Sequence, residues 1–324
     1  HNKNIQKLLN ISTNDYKKFT QIEFELSFSE NIKVLDFDFG KEDNKEYKKY
    51  IHYFIDGRNT ELKRDKDEDK EIKSNKFKLV IDYEVQSLEG LFSNSNQIKE
   101  IKIIKWNKLD INNLSFMFDR CRNLERILNL SKIKTDNLKN MSYMFQGCSK
   151  LEEIDMSGLK SINVEDMSNL FSRCRSLTKI DISNFNTSKV TNMSSMFCGC
   201  EKLRELDLSN FNTSKVYNMS YMFLGCKNLL YVNVSSFNTS NVTKMCDLFY
   251  GCTSLEKLDL SNFDTSKVIN MYSMFNRCTN LTELNISNFN TINVQNYENM
   301  FQECTSLNIL DISDRKSTRL NSSH

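Results

Sequence analysis

The chain has 324 residues and a net charge of +2, so bulk charge gives no reason to expect nucleic acid or an anionic membrane as partner. No run of about 18 apolar residues occurs, which excludes a membrane-spanning helix in this stretch of chain, and no short apolar segment behind basic residues follows His1, so no signal peptide is visible. Proline is absent and glycine numbers only 8, a bias toward Asn, Lys, Ile and Ser with no functional content.

Residues 1–84 stand apart from the rest. Gln21–Phe28 and Ile32–Phe39 alternate apolar and polar residues and predict strands. Glu46–Ile55 is ambiguous between helix and strand. Glu61–Asn75 is a mixed charge run, read as a solvated loop. Phe77–Tyr83 predicts a further strand. The expected role of this region is a mostly-β cap over the open end of the repeat array that begins at Val85, because an uncapped array exposes apolar core and strand edges.

The cysteines of the array, Cys148, Cys174, Cys200, Cys226, Cys252, Cys278 and Cys304, recur every 26 residues; the step from Cys121 to Cys148 is 27, with the extra residue expected at Ile127–Leu128. A fixed period of this length predicts a solenoid. The stretch Leu203–Cys226, LRELDLSNFNTSKVYNMSYMFLGC, is the type unit, and a partial unit runs from Leu307 to Ser313. Residues 314–324 lose the pattern and are read as a non-native tail, with further repeats or a cap expected in the true C-terminus.

In the first half of the unit, Leu203, Leu206, Leu208 and Phe211 have leucine-rich-repeat spacing, with Leu206 and Leu208 pointing inward from a strand and Glu205, Asp207 and Ser209 outward. Stacked coils would pair these strands into one parallel sheet, with Phe185, Phe211, Phe237, Phe263 and Phe289 as an internal spine. In the second half, Val216, Met219, Met222 and Phe223 fall at i, i+3, i+6 and i+7 and predict a short helix, with Asn218 as its N-cap and Gly225 at its end. The fold class expected is therefore α/β: a solenoid of strand–turn–short-helix units with its parallel sheet on the concave face.

The methionine stripe is read as core packing. The cysteine column is read as small buried residues in preference to disulfides, whose Cβ separation is shorter than a coil step, or a metal, whose shell a straight ladder cannot supply. Cys198 and Cys246 lie out of phase and are candidates for greater exposure and reactivity. The lysines Lys189, Lys215 and Lys267 read as a solvated face. The only histidines are His1, His52 and His324, so no Ser-His-Asp or Cys-His arrangement fits within the repeats. Phosphate-binding loops are absent. No catalytic residue, metal or cofactor is expected.

The motifs LDLSNF, NTSKV, NMSxMF and GC recur in order, and on them the chain resembles the BspA-type leucine-rich-repeat surface proteins, also known as the mycoplasma-type lipoprotein repeat of unknown function. The resemblance covers about Val85–Ser313. It implies a leucine-rich-repeat solenoid and, for members with assigned roles, adhesion at a cell surface; it brings no catalytic residues. The expected function is a non-enzymatic module binding a protein or glycan, with a location at the cell surface or outside it. The alternative is a cytoplasmic scaffold using the same face. The candidate contact residues are the outward strand positions Glu153, Asp155, Lys179, Asp181, Glu205, Asp207, Tyr231, Asn233, Lys257, Asp259, Glu283 and Asn285.

Overall fold

The computed structural model describes residues 21–29, 32–33, 50–55, 61–62, 71–72, 74–82, 85–107 and 111–311. The strands before the array are β1 (Ile22–Phe28), β2 (Ile32–Lys33), β3 (Ile51–Ile55), β4 (Glu61–Leu62), β5 (Glu71–Ile72) and β6 (Lys76–Ile81). β1 and β6 lie where alternation predicts strands, and the ambiguous Glu46–Ile55 is a strand from Ile51 onward. The rest of Ile32–Phe39, most of the charge run, Tyr83 and the tail 314–324 lie outside the described residues.

β1 shows why alternation works. Ile22, Phe24, Leu26 and Phe28 are buried and the residues between them are half-buried. β1 pairs antiparallel with β6 on one side and with β7 (Ile98–Trp106) on the other. β7 then pairs in parallel with β8 (Arg126–Leu128), the strand of the next coil, so one sheet of order β4-β3-β6-β1-β7-β8 runs from the N-terminal segment into the array. Phe24 packs edge-on against Phe92 at 5.3 Å and Trp106 at 6.2 Å, which joins the two cores.

Each later coil contributes a three-residue strand: β9 (Glu153–Asp155), β10 (Lys179–Asp181), β11 (Glu205–Asp207), β12 (Tyr231–Asn233), β13 (Lys257–Asp259), β14 (Glu283–Asn285) and β15 (Ile309–Asp311). All pairings among them are parallel and join equivalent residues of successive repeats, for example Leu206 with Val232. The expected single sheet is interrupted, however. The ladder runs in blocks, β9 with β10, β11 with β12, and β13 with β14 and β15.

The predicted helices do not form. Among the described residues the only helical element is a 3-10 turn at Leu130–Lys132. Val216–Cys226 is instead a ribbon of consecutive turns. Met222 N–H donates to the Met219 carbonyl, Leu224 N–H to Tyr221 and Cys226 N–H to Phe223. The residues between them donate to the next coil: Met219 to Lys244, Tyr221 to Cys246, Phe223 to Leu248 and Gly225 to Tyr250. Tyr221 and Gly225 have φ of 63° and 69°, the positive value that the third residue of a type II turn needs and a helix forbids. The physical reason is pitch. Packed helices need about 8–10 Å between axes, whereas the phenylalanine rings of successive coils are only 5.1 to 6.0 Å apart. The apolar set Val216, Met219, Met222 and Phe223 is buried as expected; the i, i+3, i+6, i+7 spacing fits this ribbon as well as a helix.

The turn flank carries the longer ladder. Parallel bridges run without a gap from Ser87 through Asn113, Asn140, Asp166, Asn192, Asn218, Lys244 and Asn270 to Asn296. Asn218 caps as expected but starts a turn, its Oδ1 accepting from Ser220 N–H at 3.0 Å. Hydrogen bonds thus join successive coils on the turn flank as well as on the strand flank. The ring stack also differs from expectation. Phe92, Phe118, Phe145, Phe171, Phe197, Phe223, Phe249, Phe275 and Phe301 form the continuous stack. The expected spine is buried, and Phe237 with Phe263 stack at 6.2 Å.

A third corner is held by side chains. Thr213 is fully buried; its Oγ1 donates to the Asn238 carbonyl at 2.9 Å and accepts from Asn238 N–H at 2.8 Å. Thr187 does the same to Asn212, and Thr265 to Asn290. The 27-residue coil is the irregular one. Its extra residue falls at Leu128–Asn129, where Asn129 has φ of 61°, and the 3-10 turn follows. In the next coil Gly158 takes the place of the usual Asn, and a Cβ there would lie 2.4 Å from Ser131 Cα.

Replacing Thr213 by Val keeps the volume but removes both inter-coil bonds and strands buried backbone groups. The expected loss is about 1–3 kcal/mol of unfolding free energy, measured by urea denaturation. Ser214→Ala, at the partly exposed neighbour, should cost less.

Candidate functional site

The outward strand residues are where alternation places them. Glu153, Asp155, Lys179, Asp181, Glu205, Asp207, Lys257 and Asp259 are exposed, Tyr231 is 56% exposed, and Asn233, Glu283 and Asn285 are half-exposed. Two columns run across the coils. The first reads Glu100, Arg126, Glu153, Lys179, Glu205, Tyr231, Lys257, Glu283, Ile309. Its charges alternate in sign, so each in-register neighbour pair that is charged is attractive. Ion pairs join Arg126 Nη2 to Glu100 at 2.7 Å and Lys257 Nζ to Glu283 at 2.5 Å. The alternation breaks at Tyr231 and Ile309, and both are more than half exposed.

The second column, Asp155, Asp181, Asp207, Asn233, Asp259 and Asn285, is bound into the fold. In each coil Oδ1 accepts from the backbone N–H two residues on, for example Ser157, Ser183 and Ser209 at 3.0, 3.1 and 3.0 Å. The Ser183 hydroxyl also donates to Asp181 at 2.7 Å. The hydroxyl and amide of Ser183 hold the Asp181 carboxyl below its ordinary range, and the amide and hydroxyl of Ser209 do so for Asp207. These carboxylates therefore shape a turn as well as face solvent.

A shallow cavity of about 730 Å³ lies on this face. It gathers the candidates Tyr231, Asn233, Lys257, Asp259, Glu283 and Asn285 from β12 to β14. Glu153, Asp155, Lys179, Asp181, Glu205 and Asp207 share the face but not the cavity. Ile309 and Asp311 of β15 complete the wall. Sequence reasoning missed Ile309; its signal is an apolar residue at an outward position of the alternation.

The cysteines are structural. All ten are free thiols. Each column Sγ donates across the coils to a phenylalanine carbonyl, Cys226 to Phe197 at 3.1 Å and Cys174 to Phe145 at 3.0 Å. Burial pushes the Cys121 and Cys174 thiols up to about 12. Cys246 is buried, contrary to the expected exposure. Cys198 is half-buried, and burial raises its thiol too, which works against reactivity. Lys189 and Lys267 reach Asn163 and Asn241 of the preceding coil, each at 2.7 Å. His52 lies in β3, between Glu61 at 2.6 Å and Asp82 at 3.2 Å, far along the chain from the cavity. Among the described residues no three His, Cys, Asp or Glu side chains are grouped as metal ligands, and no helix is long and apolar enough to cross a membrane.

Parallel coils, a stacked phenylalanine column and an outward polar strand face define a β-solenoid repeat protein. The family model described as "Mycoplasma protein of unknown function, DUF285" matches residues 86–180, 159–230, 177–258 and 224–322. These segments cover well over half of the chain, and the chain belongs to that family. No curated protein matches it. Among solved structures it is similar to a chain in "Crystal structure of TLR13-ssRNA13 complex", with 13% identity and a TM-score of 0.19. That match covers 68% of this chain and 44% of the other, so this chain spans less than half of that one. At that TM-score the likeness carries no structural or functional weight.

Two measurements check the site chemistry. By NMR titration Asp181 and Asp207 should protonate below the ordinary carboxylate range of about 3.9, and Ser183→Ala should move Asp181 back up. Because the folded value is the lower one, the stabilisation is present above the unfolded pKa and is lost as pH falls through the folded pKa. In the native state a disulfide exchange reagent such as DTNB should leave the buried column from Cys121 to Cys278 unmodified, with full labelling only in denaturant.

Proposed function

We propose that the chain is a non-enzymatic binding module that takes a protein or glycan ligand on its strand face. The reading that it acts in adhesion at a cell surface, as BspA-type leucine-rich-repeat proteins do, rests on the resemblance of its repeat motif. The observation that carries the binding role is a division within each coil. Inward positions barely change: Leu203, Leu229, Leu255 and Leu281 are one column, and Phe197, Phe223, Phe249 and Phe275 another. The first outward strand position changes from coil to coil, Glu205 to Tyr231 to Lys257 to Glu283. A fixed scaffold with a varied outer face is the arrangement repeat proteins use for recognition. The histidines lie outside the array, so no Ser-His-Asp or Cys-His arrangement forms among the described residues of the strand face.

Beads coated with the chain and applied to an epithelial cell layer provide the test. The triple variant Lys179→Gln, Glu205→Gln, Tyr231→Ala alters only exposed positions, brings no like charges together and should keep the native melting curve. Adhesion should fall by about tenfold, equivalent to roughly 1.4 kcal/mol. Equal adhesion by the variant, or none by the native chain, overturns the surface reading. Fractionation of the source cells that places the protein in the cytosol would move the same face to an intracellular partner.

A further inference from the structure

Resting on the reading of the strand face as a binding surface, we infer that the cavity over β12–β15 is a subsite for a neutral, extended β-linked oligosaccharide lying along the solenoid axis. The outward column is a ladder of charges that alternate in sign, closed into ion pairs at Glu100–Arg126 and Lys257–Glu283. Tyr231 breaks that ladder. Its ring is 56% exposed at one end of the cavity, in register with Glu205 on one side and beside the Lys257–Glu283 ion pair on the other. An exposed aromatic face with polar neighbours is the chemistry that stacks on the C–H face of a sugar ring.

The remaining wall supplies fixed hydrogen-bonding groups, one set per coil. Asp259 Oδ1 is held by Ser261 N–H at 2.9 Å and Asn285 Oδ1 by Ser287 N–H at 3.1 Å. The second terminal atoms, Oδ2 of Asp259 and Nδ2 of Asn285, take no part in those turns. An acceptor and a donor are thus presented on successive coils by side chains that are already ordered, which lowers the cost of binding. Successive strands under the cavity are hydrogen-bonded neighbours about 4.8 Å apart. An extended β-1,4-linked glycan advances by a similar length per sugar, so each coil can meet one sugar.

Charge and size select the class. Lys257 is neutralised by Glu283, and the Asp259 carboxylate then makes the cavity acidic and unfavourable to sulfated or carboxylated glycans. A volume of about 730 Å³ suits a small ligand. A protein interface instead needs a contiguous apolar centre, and here the exposed apolar residues Tyr231 and Ile309 are separated by the ion pair.

Isothermal titration of the full chain with cellotetraose, chitotetraose, their disaccharides and a heparin tetrasaccharide tests this. At least one neutral tetrasaccharide should bind, its disaccharide about tenfold more weakly, and heparin less well than either. Tyr231→Ala should weaken the neutral tetrasaccharide by about tenfold or more, while Tyr231→Phe stays within about twofold. Asp259→Asn provides a second variant with the Ser261 turn retained. The inference fails if no neutral tetrasaccharide binds, if heparin binds best, or if natively folded Tyr231→Ala and Asp259→Asn both bind like the parent. Loss of bead adhesion in the triple variant alongside absent saccharide binding would keep the binding module and assign it a protein ligand. Absence of both would remove the module as well.

Discussion

One spacing governs this molecule: the hydrogen-bonded step from coil to coil. Backbone bonds set it along the strands and again along the turn ribbon, and threonine hydroxyls set it at a third corner. A step near 4.8 Å leaves room for stacked phenylalanine rings and for thiols reaching a neighbouring carbonyl, and none for side-by-side helices. It also keeps equivalent cysteines apart at a distance a disulfide cannot bridge. Core composition, thiol state and the turn ribbon in place of helices all derive from that one dimension.

Much of this was legible in the residues. The period, the inward set and the outward columns come from counting positions, because a solenoid repeats its environment as faithfully as its sequence. The helix was not legible from periodicity, since Val216, Met219, Met222 and Phe223 satisfy a helix and a chain of turns equally. What separates the two is the backbone at Tyr221 and Gly225. Glycine at one of them was a clue, but tyrosine at the other hides the requirement. Periodicity does not say which phenylalanine column stacks continuously: both are buried, the expected one stacks at Phe237–Phe263, and only geometry tells which one lies ring over ring throughout. The cavity could not be read at all, because it depends on the relief of the face rather than on the identity of any one coil.

The outer face separates into residues that serve the scaffold and residues left over. Aspartates at the ends of the strands are drawn into turns by serines, and opposite charges pair between coils at Glu100–Arg126 and Lys257–Glu283. A polar residue on such a face is therefore weak evidence of contact with a partner. The residues that break the internal pattern carry more information, which moves attention from the acidic column to Tyr231 and its neighbours.

The irregular coil has a consequence of its own. Gly158 is small because the longer coil before it brings Ser131 against the place where a side chain would stand. The two deviations are one fitted joint. Coils from 177 onward could be duplicated, deleted or exchanged in whole units with little disturbance. The coil carrying Asn129 and the coil carrying Gly158 can be inherited only together, so rearrangement of the array is free on one side of that joint and constrained across it.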